Sequence, residues 1–234
     1  MIIAPSYSIV RKIAAPPLDA NWRSPWWSEV PALRIASFYF RSSRHHPPTW
    51  AKVAYTASAL HVLFHVHDRF VRCRQTEPHS KVWTDSCVEF FVQPRPDRPL
   101  DDGGGYFNFE INCGGVPLAS YIEDPKKVAG IPRKLQRLTL SELRQLQITP
   151  SIPAPPPFTH VEPLIWSLQY SIPLNILEKY VGRLGPLAGQ SWRGNFFKCS
   201  DGKYPHWASW ASIGAPANFH QPARFGHLHF CVAH

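Results

Sequence analysis

The sequence lacks the features that define several large protein classes. No apolar run approaches the about 18 residues of a membrane-spanning helix, so we expect no membrane span. The only methionine is Met1, which argues against a haem site with methionine ligation. No internal repeat is present. The segment from Met1 to Val10 has neither a basic leader nor a clear cleavage site, so we expect no export signal in the chain as written.

Cysteine and charge also lack a functional pattern. The five cysteines are odd in number and widely spaced, so at least one stays unpaired, and we expect reduced, mostly buried thiols. No cysteine or histidine spacing matches a structural zinc motif. The net charge is +9, but the basic residues occur as ones and twos between apolar segments. We therefore expect no nucleic-acid partner.

Apolar material is abundant and is arranged in short alternating segments. Apolar residues make up 44% of the chain, with nine Trp and fourteen Phe, which is enough for a core. Alternation of period two predicts strands at Leu60–Asp68, Val88–Gln93 and Phe107–Cys113. Further strands are predicted at Ala51–Tyr55, Trp166–Ile172, Arg193–Cys199, Trp207–Ile213 and Phe225–Val232.

Helical patterns are scarce by comparison. Ser141–Leu146 and Leu174–Val181 are the two segments that look helical, and both are short. Many short strands separated by turn residues favour one all-β domain over residues 1–234. The predicted fold is a β-sandwich of two antiparallel sheets with one or two short helices.

Two of the predicted strands carry polar residues out of phase with their apolar ones. Glu89 lies on the predicted strand Val88–Gln93, and the strand Phe107–Cys113 carries Asn108, Glu110 and Asn112. If these strands pair, the side chains form one patch of carboxylates and amides, which suits sugar hydroxyls because these groups both donate and accept hydrogen bonds. Lys198 or Arg72 could complete the set. The alternative is an ordinary solvent-exposed sheet face.

Aromatic residues in loops favour a ligand at this patch. Trp83 precedes the Glu89 strand at a polar turn, and Phe219 and His220 lie in a loop near the C-terminal end. Pyranose rings stack their apolar faces on aromatic rings, so we predict Trp83 and Phe219 as platforms and His220 as part of the rim. The alternative is that both rings cap the ends of the sandwich.

Two other functional classes remain open at this point. Glu89 and Glu110 could serve a glycosidase if their carboxyl groups lie about 5 to 9 Å apart. A Cys199–His206 nucleophile is conceivable, but nothing in the sequence indicates its activation. A structural or protein-interaction domain without a sugar site is the third possibility, and in that case Trp83 should be buried.

Five ordered motifs resemble those of bacterial carbohydrate-binding family 9-like proteins. They are Val82–Phe91, Gly105–Gly114, Arg193–Asp201, Pro205–Trp210 and Asn218–Gly226. The likeness runs from about residue 7 to residue 230. The chain is more distantly similar to the family 9 modules of xylanases, which implies a β-sandwich that binds sugar without catalysis.

The resemblance assigns roles to individual residues. Trp83 matches the first stacking tryptophan of the xylanase modules, and Glu89 matches a hydrogen-bonding glutamate. Phe219 stands where those modules have their second tryptophan, and Glu110 stands where they have an arginine. The resemblance also implies that structural calcium is possible, without ligands that can be mapped here, and it favours a secreted or periplasmic location. No other cofactor is expected.

Overall fold

The computed structural model describes residues 4–152, 157–215 and 218–232, and most of its regular structure is β. The strands are β1 (Ser6–Arg11), β2 (Leu33–Ile35), β3 (Ser37–Phe38), β4 (Thr49–Tyr55), β5 (Ala59–Asp68), β6 (Val71–Cys73), β7 (Cys87–Gln93), β8 (Tyr106–Asn112), β9 (Pro117–Val128), β10 (Ile131–Arg137), β11 (Thr149–Pro150), β12 (Phe158–His160), β13 (Leu164–Pro173), β14 (Ser191–Ser200), β15 (His206–Ser209) and β16 (Gly226–Phe230).

Helical structure is short and peripheral. The α-helices are α1 (Pro25–Ser28), α2 (Leu140–Arg144) and α3 (Leu174–Val181), with 3-10 turns at Val82–Thr84 and Pro222–Arg224 and an irregular helical turn at Leu100–Gly104. The all-β prediction is confirmed, and both predicted helices are present. The sequence did not predict α1, whose four residues are too few for a periodic pattern. In the described ranges, no helix has the length and apolarity needed to cross a bilayer.

The strands form one continuous hydrogen-bonded path. Its order is β10-β9-β8-β7-β14-β16-β1-β4-β5-β13-β11, with β15, β3 and β2 attached at its side, and β12 and β6 form a separate pair. Strand β1 joins the two halves of the path, because Ser6–Ile9 pair with β16 and Val10–Arg11 pair with β4. Both of these pairings are parallel. The expected division into two separate, wholly antiparallel sheets is therefore not present in the hydrogen bonding.

Side chains from the two halves meet in one apolar core. The ring of Phe64 on β5 lies 6.2 Å from that of Phe196 on β14, and Phe109 on β8 lies 6.4 Å from Tyr170 on β13. Phe90 on β7 stacks on Phe196 at 4.6 Å. Successive residues of a strand point to opposite faces, so the intervening residues of β7, β8 and β14 lie on the outer face, away from this core.

The start of α2 is fixed by a capping box. The Thr139 side chain accepts the backbone N–H of Glu142, and the Glu142 carboxylate accepts the backbone N–H of Thr139. Lys179 of α3 donates to the same carboxylate at 2.6 Å. Desolvation alone would raise the pKa of Glu142, but the hydrogen bonds from Lys179 and Thr139 lower it to about 2.

Candidate functional site

A cavity of about 420 Å³ lies over the outer face of β7, β8 and β14. The strands supply its floor, the hairpin of β9 and β10 supplies one part of its wall, and aromatic loop residues supply another. Six of the eight residues predicted from the sequence line it, namely Trp83, Glu89, Asn108, Glu110, Phe219 and His220. The polar patch and the aromatic loops therefore belong to one site.

The two glutamates of the floor are direct neighbours on adjacent strands. Glu89 on β7 pairs with Glu110 on β8, and both side chains are almost completely buried. Directly opposed residues in an antiparallel pair have Cβ atoms about 4.5 to 5.5 Å apart. Two glutamates at such positions can bring their carboxyl groups close together, so the hydrolase alternative stays open, and protonation bears on it.

Burial raises the pKa of both carboxyl groups. For Glu110 the rise is to about 7, although a hydrogen bond from Asn108 and the positive charge of Lys127 act in the opposite direction. For Glu89 burial raises the pKa well above its ordinary value, and the neighbouring Cys199 and Glu110 add to the effect. Around pH 6 Glu110 is mostly protonated and can donate as well as accept hydrogen bonds, and the raised pKa of Glu89 favours the same form there.

The hydrogen bonds on the floor leave one acceptor open. Asn108 donates from Nδ2 to Glu110 Oε1 at 2.6 Å, and the Cys199 thiol donates to Glu89 Oε1 at 3.1 Å. The Asn108 Oδ1 atom is buried and has no hydrogen-bond partner in the described part of the chain. Buried polar atoms normally have a partner, so this oxygen is an unsatisfied acceptor on the strand that forms part of the cavity floor.

Three aromatic side chains border the cavity. Trp83 is partly exposed and lines the cavity. A structural domain without a sugar site was expected to bury it. Phe219 stacks on Phe197 of β14, with ring centroids 4.0 Å apart and planes 13° from parallel. Trp207 on β15 donates from Nε1 to Asp201 at 2.9 Å. The rings are therefore held by packing and hydrogen bonds with part of their surface open.

His220 lies beside these rings and is held by a tyrosine. Its Nδ1 atom is 2.8 Å from the hydroxyl group of Tyr106, and its ring lies 5.0 Å from that of Phe91. The imidazole is thus fixed within the wall of the cavity.

Asn112 does not line the cavity. It donates from Nδ2 to Asp85 at 3.1 Å and accepts the backbone N–H of Val116 at 2.9 Å through Oδ1. Its face of β8 is the predicted one, but its side chain is used to hold the turn into β9.

Lys198 does not line the cavity either, and its predicted place in the polar patch is wrong. Phe196 and Lys198 share the inner face of β14, and the Lys198 ammonium group is completely buried. It lies 2.8 Å from Nε2 of His206 and 3.6 Å from the Asp68 carboxylate. Burial alone would raise the pKa of Asp68, but Lys198 and then His45 hold it well below its ordinary value.

The sequence pattern that defines carbohydrate-binding family 9 matches residues 27–230. The chain belongs to carbohydrate-binding family 9. Among the solved structures similar to this family 9 chain is a candidate carbohydrate-binding protein from Bacteroides uniformis, with 25% identity, a TM-score of 0.81, and coverage of 97% of this chain and 99% of that one. No curated protein matches the chain.

Two further similar structures are family 9 modules from Caldicellulosiruptor kristjanssonii. One was solved with cellotriose, at 13% identity and a TM-score of 0.64, covering 98% of this chain and 95% of that module. The other was solved with glucose, at 13% identity and a TM-score of 0.62, covering 95% of each chain. At this identity the likeness concerns the fold alone.

Several cavity residues of this family 9 domain were missed by sequence reasoning. Lys127 and Arg137 come from the β9–β10 hairpin, whose charged residues show no apolar alternation. Trp207 stands inside the Pro205–Trp210 motif, so the resemblance contained a signal for it. Asp201 and Asn218 complete the polar lining, and they lie in loops that carry no periodic pattern.

The structure brings together one cluster of potential metal ligands in its described residues, and the composition of this cluster does not suit calcium. Within residues 4–152, 157–215 and 218–232, one group of three metal-binding side chains converges, formed by Cys87, Glu89 and Cys199. Calcium prefers an all-oxygen shell, and two thiols do not provide it. Structural calcium in this chain therefore stays a prediction.

Proposed function

We propose that the cavity of this domain binds carbohydrate and does not transform it chemically. The observation that carries the proposal is that one cavity is lined both by the polar floor of Glu89, Asn108 and Glu110 and by the aromatic residues Trp83 and Phe219. A sugar hydroxyl can donate to Asn108 while it accepts from a carboxyl group. We also infer that the two halves of the strand path act as the two layers of a sandwich, with the site on the outside of one layer.

Stacking on aromatic rings is the second part of the proposal. Trp83 and Phe219 are the platforms, and Trp207 adds a third ring at the border. Sugar rings present apolar C–H faces, which such rings cover while hydroxyls reach the polar floor. The relatives solved with cellotriose and glucose support gluco-configured sugars as the first ligands to test.

Protonation argues against hydrolysis by the same carboxyl pair. A retaining glycosidase needs one ionised carboxylate as nucleophile and one protonated carboxyl as acid. Burial raises the pKa values of both Glu89 and Glu110, which disfavours the ionised carboxylate that the nucleophile requires. Binding without catalysis is therefore the function that the site supports best.

The proposal is tested by a glycan array and calorimetry with cellotriose, using wild type, Trp83→Ala and Trp50→Ala. Trp50 is a partly exposed tryptophan on β4, outside the cavity, and serves as the matched control. We expect Trp83→Ala to weaken binding at least about fivefold, because stacking on one aromatic ring is worth about 1 kcal/mol or more. Trp50→Ala should bind as wild type does.

Two results would contradict the proposal. If wild type binds no sugar on the array, the cavity is not a carbohydrate site. If cellotriose or a longer glucan is cleaved at pH 6, and Glu110→Gln abolishes the release of new reducing ends, the hydrolase alternative replaces non-catalytic binding.

A further inference from the structure

We propose that Cys87, Glu89 and Cys199 form a binding site for a thiolate-preferring divalent cation, zinc first, at the inner end of the cavity. One ligand atom from each residue lies within 4.8 Å of the other two, and all three residues are buried. The proposal does not depend on sugar binding, and nothing in the family resemblance assigns a metal to these residues.

The strand register brings the three donors together. Cys87 and Glu89 are two residues apart on β7 and so share its outer face, and Cys199 lies directly opposite Cys87 on β14. Cys199 Sγ is already 3.1 Å from Glu89 Oε1. The donors thus come from two hydrogen-bonded strands and not from flexible loops, which keeps them in place before a cation arrives.

The distances suit a first-row transition metal. Three atoms that lie at most 4.8 Å apart have a common point at most about 2.8 Å from each of them. Zinc binds sulfur at about 2.3 Å and carboxylate oxygen at about 2.0 to 2.2 Å, so the donors need to close by about 0.5 to 0.8 Å at most. Small side-chain rotations within the present backbone provide such a movement.

The chemistry of the donor set selects the cation. Two sulfur atoms disfavour calcium and magnesium and favour zinc, which binds Cys together with carboxylate oxygen. The zinc ion would replace the proton of each thiol and that of the Glu89 carboxyl, and these protons leave to solvent. The two thiolates then balance the 2+ charge of the buried ion, and the ionised Glu89 leaves the complex with one net negative charge.

The site keeps one coordination position on the side of the cavity. Glu89 and Cys199 line the cavity, whereas Cys87 lies behind them. With three protein ligands, a tetrahedral zinc ion has its fourth position open to water from the cavity. A bound ion would therefore also fix the orientation of Glu89, one of the polar groups of the floor.

The test uses the full chain, stripped of metal with a chelator and then titrated with zinc chloride against a chromophoric competitor. Wild type should bind one zinc ion, and cobalt(II) should give the near-ultraviolet absorption of thiolate-to-metal charge transfer. Cys87→Ser and Cys199→Ser should each weaken zinc binding at least about 100-fold and abolish the cobalt band. Cys231→Ser, which changes a partly exposed cysteine outside the cluster, is the matched control and should behave as wild type does.

Three outcomes would overturn the proposal. They are no zinc binding by wild type at micromolar metal, zinc binding that both cysteine variants retain, or a cobalt complex without the thiolate band. If a cysteine variant fails to fold by circular dichroism, Glu89→Gln and the wild-type cobalt spectrum decide in its place. Cellotriose binding by the metal-free protein is measured separately, so a failed metal site and a failed sugar site give different results.

Discussion

Glu110→Gln is expected to remove a pH dependence from the stability of the protein. Burial raises the pKa of Glu110 from about 4.5 to about 7, so between these values the folded state holds a proton that the unfolded state has lost. The free energy of unfolding of wild type therefore decreases as the pH rises through this window. Glutamine cannot ionise, and it keeps an oxygen that can accept from Asn108.

The size of the effect follows from the two pKa values. A difference of about 2.5 pH units, at about 1.4 kcal/mol for each unit, gives about 3 kcal/mol. The stability of Glu110→Gln relative to wild type should thus increase by about 3 kcal/mol between pH 4.5 and pH 7. Histidines with lowered pKa values, such as His61 and His65 at about 4, change stability in the opposite direction, but they are present in both proteins and cancel.

The assay is urea unfolding of both proteins at pH 4.5, 5.5, 6.5 and 7.5, with a chelator present throughout. Glu142→Gln is the control, because the pKa of Glu142 is lowered to about 2. Its carboxylate contributes stability above pH 4.5 and loses that contribution only as the pH falls toward 2, so its difference from wild type should be constant across the window. A constant difference for Glu110→Gln as well would refute the argument that Glu110 is protonated in the folded state.

Two more predictions concern Phe219 at the border of the cavity and the buried Lys198. Phe219→Trp should tighten cellotriose binding about fivefold by calorimetry, because the larger ring adds about 1 kcal/mol of stacking; weaker binding would show that Phe219 is not a platform. Lys198→Met should lower the free energy of unfolding at pH 7 by about 3 kcal/mol in urea, because it removes the ammonium partner of the buried Asp68 carboxylate, which keeps only His45 and two backbone N–H groups. Adding Asp68→Asn to that variant should recover part of the loss, and an unchanged stability of Lys198→Met would contradict the ion pair.

Strand positions and faces were predictable where large apolar residues alternate with polar ones. Phe107, Phe109 and Ile111 lie in the core, and Asn108 and Glu110 lie on the cavity side, as the alternation indicated. The period of two in a strand is a geometric property, so one sequence is sufficient to read it.

The face of Lys198 was not predictable for the opposite reason. Phe196 and Phe197 are adjacent, and both are buried, one in the core and one under the cavity aromatics. A strand that is apolar on both faces gives no alternation, so the sequence does not tell which way Lys198 points. The hairpin wall escaped prediction because its exposed strands carry charges on both faces.

The Asn112 side chain does not line the cavity because it is held by local hydrogen bonds. Its side chain satisfies a turn and Asp85 at the same time, and those partners lie in loops whose conformation depends on the whole fold. Hydrogen bonds of this kind decide whether a polar residue on the right face meets a ligand or its own backbone.

The bridging strand β1 has a consequence for the order in which the protein folds. Ser6 pairs with His227, so the join between the two halves connects residues more than 200 positions apart in the sequence. During synthesis, β1 leaves the ribosome early and must wait for β16, which is made after the fourteen strands β2 to β15. Until then, the edge of β1 that pairs with β16 is open to wrong partners, and a chaperone that shields exposed strand edges is expected to raise the folding yield.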